Sequence, residues 1–221
     1  MSDFANVARR YAEGPPRQVP GLDGLHRMTD LLLSERVPEA GRVLVLGAGG
    51  GMELRNLADR HAGWQFDGVD PSAQMLETAR VATVAHADRV QLHEGTIDVA
   101  PDGPFDGATC LLTFHFIPLD ERLETLAQLR RRLRPGAPLV LAHMSFSQDP
   151  QSRDIWMRRH AAFAVSHGVD PAHAENGRQA MLERLHLLSP QDEERMMAEA
   201  GFSGVSLFYA GFDFRGWVAY A

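Results

Sequence analysis

The sequence predicts a doubly wound α/β fold, in which helices cover both faces of a largely parallel sheet. Short apolar runs alternate with helical periods from about Arg42 to Met144, and a glycine-rich turn follows the first apolar run. Two aromatic-rich runs near the C-terminus add strands of a different kind. A chain of 221 residues suits one domain that buries most of its apolar surface. We therefore expect a single domain, residues 1–221, with a seven-stranded sheet.

Seven apolar runs are candidate strands. Five lie in the alternating region, where β-branched residues and leucine dominate several of them, as in the buried strands of a parallel sheet. The last two runs are separated by Ala210-Gly211 and predict a C-terminal antiparallel hairpin. The candidate strands are Arg42 to Leu46, Gln65 to Asp70, Val90 to His93, Gly107 to Leu112, Pro138 to His143, Val205 to Tyr209 and Phe212 to Tyr220.

Helices are predicted between these strands. One begins near Gly51, and a second follows Ser72, a favourable N-cap, and runs to about His86. A third begins near Asp120, which can cap it, and ends before Arg134-Pro135-Gly136. A further helix follows Ser189-Pro190, ahead of the hairpin.

Two segments depart from the alternation. Residues 1–40 contain a short helix, a breaker-rich link through Gly14-Pro15-Pro16 to Pro20-Gly21, and a helix from about Asp23 to Arg36. Residues 147–188 have helical periodicity that Gly168 and Pro171 interrupt, which predicts a helical insertion. We expect both segments to form a lid over the core sheet, residues 41–146 and 189–221, and the insertion to contact the substrate.

Composition limits the partners and the compartment. The formal net charge is -7 and the pI is near 5.8, whereas binding to a nucleic-acid backbone normally needs a basic face. We therefore expect a small-molecule substrate and no direct nucleic-acid binding. Cys110 is the single cysteine, so no internal disulfide can form. No stretch approaches the roughly 18 apolar residues of a membrane span, so we expect a cytoplasmic protein without membrane contact.

The turn Gly47-Ala48-Gly49-Gly50-Gly51 lies between a buried strand and a helix, where glycines let the backbone approach a ligand closely. The alternative is a tight turn that serves packing alone. A nicotinamide dinucleotide site usually has the pattern G-x-G-x-x-G, and its third glycine is Met52 here. The turn therefore favours another ligand over a dinucleotide.

Asp70 ends the second strand, where its carboxylate can accept hydrogen bonds from both ribose hydroxyls of an adenosyl group. Pro71 then turns the chain into the next helix, and the alternative role of Asp70 is to cap that helix. After the third strand, Thr96 and Ile97 offer a polar group to an adenine edge and an apolar surface to its ring. Together with the glycine turn, Asp70 favours an adenosyl cofactor.

His115 follows the fourth strand, at the edge where such sheets bind ligands, and is the candidate general base. The alternative, which the sequence favours, is a histidine bonded to the backbone between packed aromatic residues. Four further histidines have spacings that match no standard ligand motif, so we predict no metal; these are His160, His167, His173 and His186.

These residues resemble class I S-adenosylmethionine-dependent methyltransferases, which have a Rossmann-like fold. The resemblance covers about Arg42 to Met144 and is carried by the glycine turn, Asp70, Glu94 to Ile97, and Leu133 to Ala137 ahead of a strand. It implies S-adenosylmethionine as the cofactor and transfer of its methyl group to an acceptor.

Most of the chain is similar to the family that makes carboxy-S-adenosylmethionine for tRNA wobble-uridine modification. Three stretches carry this likeness: Arg17 to Gly21, Met181 to Glu183, and Ala200 to Phe202 with the aromatic strands that follow. The likeness implies a helical lid near the cofactor and a homodimer.

The chain departs from that family at its polar contacts. The family's tyrosine after Pro-Gly is Leu22, and its asparagine on the fourth strand is Leu111. The arginine that holds the extra carboxylate aligns with Gln179, with the neighbouring Arg178 as the alternative. We therefore expect ordinary S-adenosylmethionine and methyl transfer. Val45 is a further departure, since methyltransferases commonly have an acidic residue there.

The sequence thus predicts a cofactor site and leaves the acceptor open. Methyl transfer is an in-line displacement, so alignment and exclusion of water provide most of the acceleration and a base is optional. The alternatives are a carboxy-S-adenosylmethionine synthase-like enzyme and a noncatalytic S-adenosylmethionine-binding regulatory protein. The predicted residues are Arg17, Gly47, Ala48, Gly49, Gly51, Asp70, Pro71, Met75, Thr96, Ile97 and Leu111 for the cofactor, His115 for catalysis, and His115, Trp156, His160 and Phe163 for the acceptor.

Overall fold

The computed structural model describes residues 14–221, so the short helix expected ahead of Gly14 lies outside the described residues. All seven predicted strands are present, each within two residues of its expected bounds. They are β1 (Arg42–Leu46), β2 (Gln65–Asp70), β3 (Val90–Glu94), β4 (Gly107–Leu111), β5 (Pro138–Met144), β6 (Ser203–Gly211) and β7 (Phe214–Tyr220).

The strands form one sheet in the order β3-β2-β1-β4-β5-β7-β6. Strands β1 to β5 are parallel, and β7 pairs antiparallel with both β5 and β6. The prediction of a doubly wound sheet with a C-terminal antiparallel hairpin is therefore confirmed. Strand order reverses between β1 and β4, and this reversal opens a crevice at the carboxyl ends of the strands.

Besides the helical residues 14–18, seven α-helices of the described chain accompany the sheet. They are α1 (Leu22–Ser34), α2 (Met52–Arg60), α3 (Ala73–Ala82), α4 (Leu119–Arg132), α5 (Pro150–Ser166), α6 (Pro171–Arg184) and α7 (Pro190–Glu199). Short 3-10 segments are found at Val84–His86, Ile97–Val99 and Phe114–Phe116. No helix within residues 14–221 has the length and apolar character needed to cross a membrane.

Local sequence signals explain several helix starts. The Ser72 hydroxyl accepts a hydrogen bond from the Met75 amide at 3.3 Å, as predicted for an N-cap. Helices α5, α6 and α7 begin with an N-cap side chain followed by proline, which suits the first turn because its missing N–H is not needed there. The three caps are Asp149, Asp170 and Ser189.

Three local predictions were wrong. Helix α4 begins at Leu119 after Pro118, so Asp120 lies in the first turn, where its charge favours the helix dipole, and does not cap the helix. The hairpin turns at Phe212-Asp213 and not at Ala210-Gly211, because β6 continues through Gly211. Residues 14–18, expected as an irregular link, are helical, since proline is tolerated in a first helical turn.

The core has one layer on each face of the sheet. Val43 and Val45 of β1 face the layer that contains α1 and α2, whereas Leu44 and Leu46 face the layer that contains α4 and α7. Helix α1 is an integral part of the first layer, because its Leu25 and Leu33 side chains are fully buried. The N-terminal part of α1 lies at the crevice.

Candidate functional site

Two adjoining cavities lie at the crevice where strand order reverses. The first, of about 340 Å³, is called the turn cavity here because the glycine turn forms part of its wall. The second, of about 460 Å³, is called the α4 cavity because residues of α4 line it. Both volumes lie in the range of ordinary ligand pockets. Their shared wall consists of Gly47, Pro71, Thr113 and Phe116.

The two cavities differ in their lining. Apolar groups and the glycine turn dominate the turn cavity, which is lined by Pro15, Leu22, His26, Gly47, Ala48, Gly49, Met52, Glu53, Asp70, Pro71, Met75, Leu111, Leu112, Thr113 and Phe116. The α4 cavity is lined by Leu46, Gly47, Pro71, Gly95, Thr96, Ile97, Asp98, Thr113, Phe116, Ile117, Pro118, Asp120, Glu121, Glu124, Thr125 and Gln128.

The glycine turn requires the conformations that glycine adopts most easily. Gly47, Gly49 and Gly51 have φ values of 79°, 49° and 79°, a region in which side chains are strained. A Cβ atom on Gly47 would also overlap the side chain of Thr113. The amides of Gly47 and Ala48 both donate to the Val69 carbonyl, at 2.8 and 2.9 Å, which ties the turn to β2.

Asp70 connects the turn to the next helix. Its Oδ2 accepts a hydrogen bond from the Gly49 amide at 2.9 Å, and its Oδ1 accepts one from the Ser72 amide at 2.9 Å. Each carboxylate oxygen retains a further lone pair for a ligand hydroxyl. Asp70 can therefore fill both of the roles considered for it. It fixes the start of α3 and at the same time faces the cavity.

The structure brings most of the predicted cofactor residues to the two cavities. Thr96 and Ile97 line the α4 cavity, and the Thr96 hydroxyl donates to Asp98 at 3.1 Å. Seven others line the turn cavity, namely Gly47, Ala48, Gly49, Asp70, Pro71, Met75 and Leu111. Of these, Gly47 and Pro71 also line the α4 cavity.

Gly51 and Arg17 lie elsewhere. Gly51 is the N-cap of α2, and a Cβ atom there would lie 2.8 Å from the Ala79 Cα, so this glycine permits close packing of α2 on α3. Arg17 lines a third cavity, of about 370 Å³, together with Gly168 and Asp170 at the turn before α6. Neither residue lines the turn cavity or the α4 cavity.

His115 lies in the core and lines neither cavity. Its Nδ1 accepts a hydrogen bond from the Met144 amide at 3.3 Å, and 5% of the residue is exposed. Burial lowers the pKa of His115 well below its usual value, and nearby His143, Arg122 and His160 lower it further. This hydrogen bond to the backbone corresponds to the alternative role considered for His115, in which the histidine is bonded to the backbone and does not act as a general base.

The other expected acceptor residues also lie outside both cavities. His160 pairs with Asp213 at 2.9 Å between Nδ1 and Oδ2. Phe163 contacts Phe212 edge to face, with ring centroids 5.7 Å apart. Trp156 packs against Phe146, with ring centroids 6.4 Å apart. These side chains of the inserted helix α5 thus make packing and ionic contacts within the fold.

Two polar side chains of the turn cavity were missed by the sequence analysis. Glu53 is 8% exposed, its Oε1 has no hydrogen-bond partner, and burial raises its pKa to about 7, partly offset by Thr109. The His26 Nδ1 lies 2.9 Å from the side-chain amide nitrogen of Asn56. Burial lowers the pKa of His26. The available signal for Glu53 was an acidic residue beside Leu54 on the buried face of α2.

Cationic side chains are absent from the described lining of both cavities, which contains neither lysine nor arginine. Arg178 pairs with Glu175 at 2.7 Å, and the Gln179 amide donates to Glu175 at 3.1 Å. Arg178 also pairs with Asp154 of α5 at 3.5 Å, so the positions that aligned with the family's carboxylate-binding arginine face other groups on α5 and α6. Within residues 14–221 no group of three or more His, Cys, Asp or Glu side chains is arranged to hold a metal ion.

Comparison with known sequences gives the class of the site. Residues 44–139 match the model of a methyltransferase domain. The chain is 25% identical to the carboxy-S-adenosyl-L-methionine synthase of Actinobacillus succinogenes, over 99% of this chain and 94% of that protein. This likeness extends across both segments that lie outside the matched domain.

Solved structures share the fold. A SAM-dependent methyltransferase from Aquifex aeolicus matches with a TM-score of 0.64 and 17% identity, over 99% of this chain and 98% of that chain. A Nostoc punctiforme protein assigned as an O-methyltransferase matches with a TM-score of 0.68 and 20% identity, over 99% of this chain. The chain spans 60% of the length of the Nostoc protein.

Proposed function

We propose that the chain, whose residues 44–139 match a methyltransferase domain, is an S-adenosylmethionine-dependent methyltransferase that methylates a small molecule bound beside the cofactor at the crevice. The observation that carries this proposal is the position of Asp70. This carboxylate lines the turn cavity at the end of β2, next to the wall that the two cavities share. One elongated ligand can therefore occupy both cavities and pass Asp70.

The residues present fit the cofactor. We place its adenine in the α4 cavity beside Thr96 and Ile97, its ribose at Asp70, and its methionine moiety along Gly47 and Gly49. Their positive φ angles favour glycine, and because glycine has no side chain the backbone can lie directly against a ligand. Asp70 supplies a carboxylate for ribose hydroxyls while its present bonds keep it in place.

The bound cofactor supplies an activated methyl group on a positively charged sulfur, whose displacement by an acceptor needs alignment more than acid-base chemistry. The protein side chains exclude water and position the acceptor. Leu22, Met52, Leu112 and Phe116 give the turn cavity an apolar lining, and removal of water from such a site strengthens the remaining polar contacts. We propose an acceptor with an apolar body for this reason.

The absence of lysine and arginine from the described lining favours ordinary S-adenosylmethionine over a carboxylated form. A second carboxylate in a largely apolar pocket would lack a cationic partner, and an unpaired buried charge is costly. Carboxy-S-adenosylmethionine synthesis remains the second candidate, because the sequence likeness to such a synthase spans nearly the whole chain.

Two measurements test the proposed function. Mass spectrometry of the ligand retained through purification should give the mass of S-adenosylmethionine or S-adenosylhomocysteine, and a carboxylated cofactor would contradict the choice between the two candidates. Incubation with a panel of small acceptors should release S-adenosylhomocysteine, with Asp70→Ala as the matched inactive variant. Tight cofactor binding without release from any acceptor would favour a regulatory, noncatalytic protein.

The lid, the cellular location, the oligomeric state and the expected lack of nucleic-acid binding belong to the same proposal. We propose that residues 14–18 and the start of α1 enclose the acceptor as a lid within one domain, which Pro15, Leu22 and His26 in the turn cavity support. We include the helical insertion in this lid because its Gly168 and Asp170 line a cavity together with Arg17. We also propose a cytoplasmic homodimer without direct nucleic-acid binding, supported by the family likeness and the net charge of -7. Light scattering of the purified protein measures the oligomeric state.

A further inference from the structure

The methionine moiety of the cofactor carries an ammonium group, which needs an anionic partner when it leaves water. Of the fifteen residues that line the turn cavity, two carry carboxylates, Glu53 and Asp70. Both oxygens of Asp70 already accept backbone hydrogen bonds at the mouth of the glycine turn. The position on β1 where methyltransferases commonly have an acid is Val45, which is fully buried in the core.

Glu53 is the second residue of α2, directly after the glycine turn. The residue is 8% exposed and belongs to a cavity wall, and its Oε1 makes no hydrogen bond of normal geometry. The neighbouring Thr109 hydroxyl, itself without a hydrogen-bond partner, lowers the pKa of Glu53 but is neutral and leaves the charge of the carboxylate unpaired. Buried polar groups in native proteins are nearly always paired, so an unpartnered one at a ligand cavity requires an explanation. Burial raises the pKa of Glu53 to about 7, and a cationic partner would relieve this cost.

We propose that Glu53 binds the ammonium group of the cofactor's methionine moiety and so takes the place of the carboxylate that β1 lacks. The inference rests on the cofactor placement proposed above. Glu53 is on the same segment as the turn that admits the methionine moiety, since only Met52 separates it from Gly51. The remaining polar groups of this cavity do not offer a negative charge, because His26 is a histidine and Thr113 a hydroxyl.

The test compares two unreactive ligands by calorimetric titration. S-adenosylhomocysteine carries the ammonium group, whereas its deamino analogue keeps the carboxylate and lacks only that group. In Glu53→Gln, which preserves the size of the side chain, we expect the affinity for S-adenosylhomocysteine to fall at least tenfold and the affinity for the deamino analogue to stay within twofold. The exposed Glu35, which lines neither the turn cavity nor the α4 cavity, provides the control variant Glu35→Gln, for which both affinities should be unchanged.

Equal losses for both ligands in Glu53→Gln, or no loss for either, would overturn the proposal. The variant Asp70→Asn tests the cofactor placement separately from the role of Glu53. Both ligands contain the same ribose, so the proposed ribose contact with Asp70 affects them equally. Weaker binding of both ligands to Asp70→Asn supports the placement. A loss confined to S-adenosylhomocysteine in Glu53→Gln, combined with unchanged binding to Asp70→Asn, would keep the role of Glu53 and overturn the position of the ribose.

Discussion

The carboxylate of Asp70 accepts a hydrogen bond from the Gly49 amide at 2.9 Å, and this bond joins the end of β2 to the turn that follows β1. The second carboxylate oxygen accepts from the Ser72 amide and fixes the start of α3. One side chain therefore orders two walls of the turn cavity before any ligand binds. Its loss should affect both the shape of the site and the contacts that the site offers.

Replacement of Asp70 should weaken cofactor binding. We expect Asp70→Ala to reduce the affinity for S-adenosylhomocysteine at least tenfold, because hydrogen bonds to a charged group contribute about 1.5 to 3 kcal/mol. Asp70→Asn retains an oxygen that can accept from Gly49, so it should bind more tightly than the alanine variant. Calorimetric titration measures both affinities, and an unchanged affinity in Asp70→Ala would remove Asp70 from the site.

Gly47→Ala should destabilise the protein. The added Cβ would overlap the Thr113 side chain at a φ of 79°, and strain of this kind costs about 1 to 3 kcal/mol. Gly24→Ala is the matched control, because Gly24 lies within α1 and has open space at its Cβ position. The control should be neutral or stabilising by up to about 1 kcal/mol. Urea denaturation compares the two, and similar effects would contradict the strain.

Glu53 should make stability depend on pH. Its pKa is raised from 4.5 to about 7 in the fold by burial, so the native state holds a proton that the unfolded chain releases between these values. The stabilisation is complete below about pH 4.5 and is lost as the pH rises to about 7. Since one pKa unit corresponds to about 1.4 kcal/mol, the loss is on the order of 3 kcal/mol.

The comparison with Glu53→Gln isolates this effect, because other titrating groups remain the same in both proteins. Cys110 on β4 is a titratable neighbour that Glu53 affects, since the Glu53 charge helps to raise the pKa of its thiol. The difference in unfolding free energy should shift in favour of the glutamine variant between about pH 4.5 and 7. Chemical denaturation across this range measures it, and a constant difference would show that the carboxyl is not perturbed.

A buried ion pair supports the segment that carries Phe116. Arg122 Nη1 lies 3.6 Å from Glu193 Oε1, and both side chains are buried. The same guanidinium donates to the carbonyls of Ile117 and His115, at 3.0 and 3.2 Å. Arg122 therefore joins α4, α7 and the loop after β4.

Arg122→Met should lower the unfolding free energy by about 3 to 5 kcal/mol, because it leaves the buried Glu193 carboxylate with the His143 imidazole, 3.5 Å away, and without its permanently charged partner. The double variant Arg122→Met/Glu193→Leu removes both charges and should recover much of this loss. Equilibrium denaturation of the single and double variants gives the coupling. Additive losses would indicate that the two side chains act independently.

The sheet could be predicted from the sequence because its signals are local. Runs such as Val43 to Leu46 have the composition of buried strands, and the glycine turn and Asp70 occupy strand ends that the topology brings together. The roles of particular polar side chains were harder to predict. Glu53 follows the turn on α2, but its burial depends on how closely α2 packs against β4, which the sequence of α2 does not specify.

The same limit explains the residues that lie outside the two cavities. His115 is one residue from the exposed Phe116 that lines both of them, yet the 3-10 segment after β4 directs the two neighbours to different environments. The surroundings of Arg17 depend on how residues 14–18 pack against the start of α6, and these two segments are distant from each other in sequence. Contacts between distant segments decide these positions, and a single sequence carries little information about them.

The place of β7 between β5 and β6 bears on the order in which the sheet can be assembled during synthesis. Strand β6 leaves the ribosome before β7, but its neighbour in the sheet is β7 and not β5. Until Phe214–Tyr220 has been made, β6 has no docking edge, and the growing chain carries its apolar residues without their final partner. Vectorial folding can therefore complete the five parallel strands early, whereas the hairpin must be added as a unit.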